Sequence, residues 1–304
     1  MTRVIPTREF ALYSLGGGSP AASATCLPPF SPARYSLYKY GSVTATETFA
    51  SALAAAFCER HPELALAPRL LVASSPYAHV PAAATTLARG LRPVLNAART
   101  RHGLAPAPLL QVDRISASAG DYGTLSARAR DRHMAGNALS FRRFRPEQVR
   151  DAHLLVIDDV RVTGAHQRCL IRASEELPLA ARTFLYIAAF PASPDGSFDP
   201  SQEDALNHAA VKTLDDLAAI VKAGDFAWNV RVCKFVLNPA NYGGLTRFLR
   251  TMPGWFVRDL HRNSCRDGYA RMAPYAPSHA LVGAELSRRA DRALIACPPA
   301  RQPA

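Results

Sequence analysis

The stretch Leu154-Leu155-Val156-Ile157-Asp158-Asp159-Val160-Arg161-Val162-Thr163-Gly164-Ala165-His166 decides how the whole chain is read. Four apolar residues run into two adjacent carboxylates. A short loop with Thr163 and Gly164 follows, and then a helix-compatible segment at 167–177. A continuous apolar run bounded in this way is a strand buried on both faces of a parallel sheet. In open α/β sheets the ligand crevice lies outside the carboxyl ends of such strands. The helix that follows offers unpaired N–H groups and a partial positive charge to an anion. One stretch therefore supplies a phosphate cradle at 163–166 and, beside it, paired acids. Paired acids suit a sugar diol, a divalent metal, or both.

Working outward, the same strand–loop–helix grammar recurs. Leu70-Leu71-Val72-Ala73 is a short apolar strand, and Ser74-Ser75-Pro76-Tyr77 makes the turn after it. A helix is expected at 80–95, with Pro81 suited to its first turn. Another strand is expected at 109–115, then a polar passage at 116–124, then a helix at 125–134 carrying Arg128, Arg130 and Arg132. Residues 141–150 read as a basic linker, and Thr183-Phe184-Leu185-Tyr186-Ile187-Ala188-Ala189-Phe190 as a further buried strand. The expected fold is α/β, a doubly wound, mainly parallel sheet over 35–200. At its start, the alternating aromatics of Tyr35-Ser36-Leu37-Tyr38-Lys39-Tyr40-Gly41 suggest a short strand, and 46–58 a helix.

Residues 1–34, with Gly16-Gly17-Gly18-Ser19-Pro20 and Pro28-Pro29, read as an irregular arm. A turn-rich break at 191–204 separates the core from a mostly helical extension over 201–304. Helices are expected there at 207–223, 241–252, 255–270 and 279–295, and a strand at 231–237. The extension contains no familiar motif.

Composition narrows the function classes. The chain has 304 residues, 48% of them hydrophobic and only 20% charged, which excludes a disordered protein. Lys and Arg number 36 against 24 Asp and Glu, a net charge of +12 that favours polyanionic ligands. The six cysteines show neither Cys-x-x-Cys pairing nor zinc spacing to a histidine. With no secretory signal and no apolar run of spanning length, a cytoplasmic protein with reduced thiols is expected.

The acid-pair loop resembles the signature of type I phosphoribosyltransferases, in which an apolar strand, two acids, a few variable residues and Thr-Gly fall in register. The resemblance implies a bacterial branch of that family with a C-terminal extension. It implies that Asp158 and Asp159 hold the ribose hydroxyls of 5-phosphoribosyl pyrophosphate (PRPP), and that Thr163, Gly164 and Ala165 hold its 5′-phosphate. His166 departs from the pattern by standing where Thr or Ser is usual, and is expected to donate to the same phosphate. Ser74, Ser75 and Tyr77 match the loop that binds pyrophosphate, and Arg128 the mobile loop that brings charge to it. Lys39, Tyr40 and Tyr122 are hood or acceptor candidates, with Tyr40 available to stack on a base or to pack as an ordinary core aromatic. Mg²⁺ is the implied cofactor, held mainly through PRPP, and a homodimer is the implied assembly. Val162 stands where the 6-oxopurine enzymes carry an acid, which argues against a hypoxanthine or guanine acceptor. Arg161 either adds a phosphate contact or points to solvent.

Three functions follow. The first is transfer of the phosphoribosyl group to an unidentified nitrogenous acceptor. The second is a non-catalytic PRPP- or nucleotide-sensing regulator, for which the basic charge also admits a nucleic acid. The third, a Mg²⁺-dependent phosphatase-like use of the acids, fits the Thr-Gly loop less well.

Overall fold

The computed structural model describes residues 4–16, 28–114, 139–141, 143–191 and 198–296. Its strands are β1 (Thr7–Ser14), β2 (Leu70–Ser74), β3 (Leu109–Leu110), β4 (Asp113–Arg114), β5 (Leu139–Ser140), β6 (His153–Arg161) and β7 (Ala181–Ala189). Five of them form a parallel sheet in the order β1-β7-β6-β2-β3, while β4 and β5 make a separate antiparallel pair. Every connection within the main sheet is therefore a crossover, and helices must cover its faces.

The core helices are α1 (Pro32–Lys39), α2 (Val43–Arg60), the short α3 (Pro62–Ala65), α4 (Ala83–Arg101), the short α5 (Pro146–Val149) and α6 (Ala165–Ala173). Side chains of a strand alternate between faces, and the apolar runs serve both. Leu155 and Ile157 of β6 pack with Leu185 and Ile187 of β7, Leu70 and Val72 of β2, and the apolar sides of α2 and α4. Leu154 and Val156 face the other way, onto Phe184, Tyr186, Val149 and Leu170. Fully burying side chains of this size contributes about 1.5–3 kcal/mol each, so the central strand anchors two cores at once. His153, at its start, is buried and hydrogen-bonded to Thr183 Oγ1 at 2.8 Å. Burial, aided by nearby Arg8, pushes its pKa down to about 4, as befits a neutral core histidine.

The extension comprises α7 (Pro200–Asn207), α8 (Leu214–Lys222), α9 (Val230–Leu237), α10 (Tyr242–Thr251), α11 (Gly254–Arg266) and α12 (Ala276–Ala296). Its core is built from Leu217, Val236, Phe248, Phe256, Leu260 and Val282, and it draws in Tyr40 and Val80 from the first half of the chain. Hydrogen bonds at Ser36 and Asp225 and a close approach at Gly41 fasten it. Ser36 Oγ donates to the Asn207 carbonyl and accepts from the Val211 amide. Asp225 accepts from Ser42 Oγ at 2.5 Å and from the Thr44 amide at 2.7 Å, capping the start of α2. Gly41, at φ +91°, lies so close to Phe226 and Ala227 that a Cβ there would collide with the Ala227 carbonyl oxygen. No helix among the described residues is long and apolar enough to cross a membrane.

Several local expectations are corrected. Within the stretch read as an irregular arm, 7–14 is an edge strand, with Phe10 and Leu12 turned into the core. The segment at 35–41 is helical rather than extended: Ser31 caps it through the Arg34 amide, Pro32 occupies its first position, and Tyr35 and Tyr38 share a buried face. The strand expected at 109–115 is broken into β3 and β4. The helix expected at 80–95 continues to Arg101, past Pro93. The basic linker at 141–150 contains α5, and the helix expected at 207–223 is interrupted between α7 and α8. The strand expected at 231–237 is the helix α9, capped by Asn229 through the Val232 amide.

Candidate functional site

The carboxyl ends of β2 and β6 open onto a cavity of about 250 Å³. Residues 158–167 line it, as do Ser75, Pro76, Tyr77 and Ala78 from the loop after β2. The parallel register explains the meeting: Ser74 lies beside Ile157, so the loop that follows reaches Asp158.

Asp158 is 9% exposed. It accepts from Ser75 Oγ at 2.5 Å, from His166 Nδ1 at 2.7 Å and from the Asp159 amide at 2.9 Å. Burial opposes its charge, but the His166 imidazole, the Ser75 hydroxyl and the Asp159 amide together hold the carboxyl below its ordinary pKa. Ser75 does not touch His166, so this is no nucleophile–base pair. Asp158 instead fixes the imidazole, as a carboxylate fixes a ring nitrogen in many sites. With Nδ1 assigned as the donor to Asp158, Nε2 is buried without a hydrogen-bond partner among the described residues. His166 as a residue lines the cavity from the first turn of α6.

Asp159 forms an ion pair with Lys39 at the end of α1, and its other oxygen accepts from the Val160 amide at 2.7 Å. The start of α6 is left open by its own sequence. Gly164, at φ +72°, is the N-cap and has no side chain to close the helix, and the Ala165 amide makes only a long 3.4 Å contact with Thr163 Oγ1. Paired hard oxygen donors suit Mg²⁺. Both oxygens of each acid are engaged, Asp158 by Ser75, His166 and an amide and Asp159 by Lys39 and an amide, so a cation would reach Asp159 only in exchange for Lys39.

The loop after β2 is built differently. The Tyr77 amide bonds the Val112 carbonyl, and the amides of His79 and Val80 both donate to Asp267 Oδ1, at 3.1 and 3.3 Å. Asp267 caps α11 from the extension and itself lines the cavity. Burial pushes its carboxyl up, against the pull of those two amides.

The remaining sequence-predicted residues divide. Lys39 and Tyr77 line the cavity, the latter with its hydroxyl on Gln111 Oε1 at 3.0 Å. Ser74 lies behind the wall, bonded to Thr85 Oγ1 at 3.0 Å. Tyr40 is fully buried in the extension's core, 4.8 Å from the Phe235 ring, which corrects its reading as a base-stacking residue. Arg161 lines the cavity and pairs with Glu9 of β1 at 2.7 Å. Tyr122 and Arg128 lie outside the described residues.

Sequence reasoning missed the far wall, where the extension contributes Arg231, Lys234, Asp267, Tyr269 and Met272. Arg231 and Lys234 are three residues apart on α9, so they share a helix face. That signal was concealed by reading the segment as a strand. Tyr186 lines the cavity from β7 because it pairs in register with Asp158. Asp267 carried no sequence signal.

A family model described as PRTase ComF-like, a group of phosphoribosyltransferases, matches residues 9–281. Comparison with curated proteins finds no match.

Proposed function

Because the chain belongs to the ComF-like phosphoribosyltransferase family, we propose that it binds PRPP with Mg²⁺ and transfers the phosphoribosyl group to a nitrogenous acceptor, releasing pyrophosphate. One observation carries this reading: the Asp158–Asp159 pair, the open Gly164 helix start and His166, whose Nε2 has no partner among the described residues, share one cavity wall. A phosphorylated diol is the ligand that uses all three.

In this mechanism Asp158 and Asp159 accept from the ribose hydroxyls. The amides at the start of α6 and His166 Nε2 hold the 5′-phosphate. Lys39 exchanges Asp159 for a phosphate oxygen, and Arg231 and Lys234 offset charge on the departing pyrophosphate. The anomeric C–O bond breaks as the bond to the acceptor nitrogen forms. Tyr269, Met272 and Tyr186 supply apolar surface for the acceptor. Asp159 would hold Mg²⁺ arriving with PRPP, and the ion would supply neutralisation of charge on the leaving group.

The second reading is a PRPP sensor without turnover. The Asp267 carboxylate favours it, because it engages amides that a pyrophosphate would otherwise use. Calorimetric titration of Mg²⁺–PRPP tests the site. The Asp158→Asn/Asp159→Asn variant should bind at least about a hundredfold more weakly, from losing about 3 kcal/mol of charge-assisted contacts. Failure of the wild type to bind PRPP sinks both readings. Binding without pyrophosphate release across a panel of purine and pyrimidine bases leaves the sensor.

A further inference from the structure

Away from the acid-pair loop, α11 and α12 bring three metal-type donors together. His261 and Cys265 lie one turn apart on α11, which corrects the expectation that no cysteine stands at zinc spacing to a histidine, and His279 faces them from the first turn of α12. Cys265 Sγ is 3.3 Å from His279 Nε2 and 3.9 Å from each ring nitrogen of His261. The two imidazoles stack with centroids 5.0 Å apart at 30°. One donor atom from each residue falls within 4.8 Å of the others. In a tetrahedral site with Zn–S near 2.3 Å and Zn–N near 2.0–2.1 Å, sulfur and nitrogen donors stand about 3.5 Å apart. The Cys265–His279 spacing, at 3.3 Å, is close to that figure, and His261, whose two ring nitrogens are equally far from the sulfur at 3.9 Å, must rotate to present one of them. Gly283, one turn beyond His279, carries no side chain, and even a Cβ there would stay 4.0 Å from His261 Nε2.

We propose that His261, Cys265 and His279 form a binding site for a borderline-soft divalent ion of the Zn²⁺ class. A thiolate with two imidazoles selects such ions over Mg²⁺ or Ca²⁺, which take oxygen donors. Cys265 is exposed, so the fourth position opens to solvent and takes water. The ion clamps α11 to α12. It lies beside the end of α11 that carries Asp267, two residues beyond Cys265, and is distinct from any Mg²⁺ brought by a phosphorylated ligand. Binding costs the Cys265 thiol its proton, which is released to buffer as the metal–sulfur bond forms.

The test uses the reduced full-length chain and Co²⁺ as a spectroscopic probe, with Zn²⁺ as competitor. The expected result is one equivalent of Co²⁺, a thiolate-to-cobalt charge-transfer band, tetrahedral visible bands, and displacement by Zn²⁺. Cys265→Ser should abolish the charge-transfer band, and His279→Gln should weaken Zn²⁺ binding at least about tenfold. Zn²⁺ should raise the melting temperature of the wild type and of neither variant. Circular dichroism of both metal-free variants checks their fold; should Cys265→Ser fail to fold, His261→Gln takes its place. Absence of Co²⁺ binding by the wild type overturns the proposal. So does a charge-transfer band that survives in Cys265→Ser, because the metal would then sit on another thiol.

Discussion

The loop after β6 and the loop after β2 leave the same edge of the sheet from neighbouring strands, yet the first keeps its donors open and the second has them engaged. At β6, the acid comes from the end of the strand that leads into the loop. Asp158 is held by Ser75 and His166, which leaves His166 Nε2 without a partner among the described residues and the start of α6 uncapped beside the cavity. After β2, the acid comes from the extension, and Asp267 draws two of the loop's amides onto itself. The two carboxylates are also shifted in opposite directions, Asp158 down by its partners and Asp267 up by burial. An anion site is thus set as much by where its neighbouring acid originates as by the loop's own sequence.

Replacing each acid in turn is the hardest test of that contrast. At pH 7, Asp158→Asn should cost about 2–3 kcal/mol in chemical denaturation, since it breaks charge-assisted bonds in a buried place. Asp267→Asn keeps an acceptor for the His79 and Val80 amides while removing a desolvated charge, so it should be neutral or stabilising, within about 1 kcal/mol. The pH dependence should differ in kind. Asp158 has a folded pKa below the ordinary 3.8, so its contribution is present above that value and lost as pH falls through the folded pKa. Asp267 has a folded pKa above 3.8, so wild-type stability falls as pH rises through the interval above it, and the advantage of Asp267→Asn disappears on acidification. Two variants that destabilise alike, with parallel pH profiles, would erase the distinction.

Gly164→Ala probes the open loop alone. The left-handed φ costs an L-residue about 1–2 kcal/mol, and a Cβ would stand 3.3 Å from Arg168 Nη1. Affinity for Mg²⁺–PRPP should fall about tenfold, measured by the same calorimetry; unchanged affinity would mean that the phosphate does not use the start of α6. The smallest effect is reserved for the closed loop. Asp267→Asn should tighten binding of inorganic pyrophosphate about three- to tenfold by removing a like charge from the cavity wall. No change would show that loop 75–80 does not meet the anion.

How much of this was legible in the sequence depends on the range of the interaction. The strand at 154–157, its acids and the Thr-Gly turn are local, and a run that must be apolar on both faces announces a parallel sheet. The Ser31–Pro32 start of α1 and the Asn229 cap of α9 were also local signals, but the alternating aromatics at 35–41 and the valines at 230, 232 and 236 outweighed them. β1 was hidden because an edge strand gains its identity from pairing with β7, at the other end of the core. Lys39 was found by position, whereas its pairing with Asp159 spans 120 residues. Asp267 reaches its amides across nearly 190 positions, and nothing in its immediate neighbours marks the contact.

The crowding at Gly41 has a consequence for anyone sorting relatives of this chain. Besides the strain that its φ of +91° puts on any side chain, a Cβ there would collide with Phe226 and Ala227, so part of the constraint belongs to the extension. A homologue that keeps the acid-pair loop but carries a bulkier residue at this position must relax the backbone there and either lack the extension or seat it differently. One position near the start of the polypeptide thus serves as a marker for the architecture of its end, readable in fragments too short to include it.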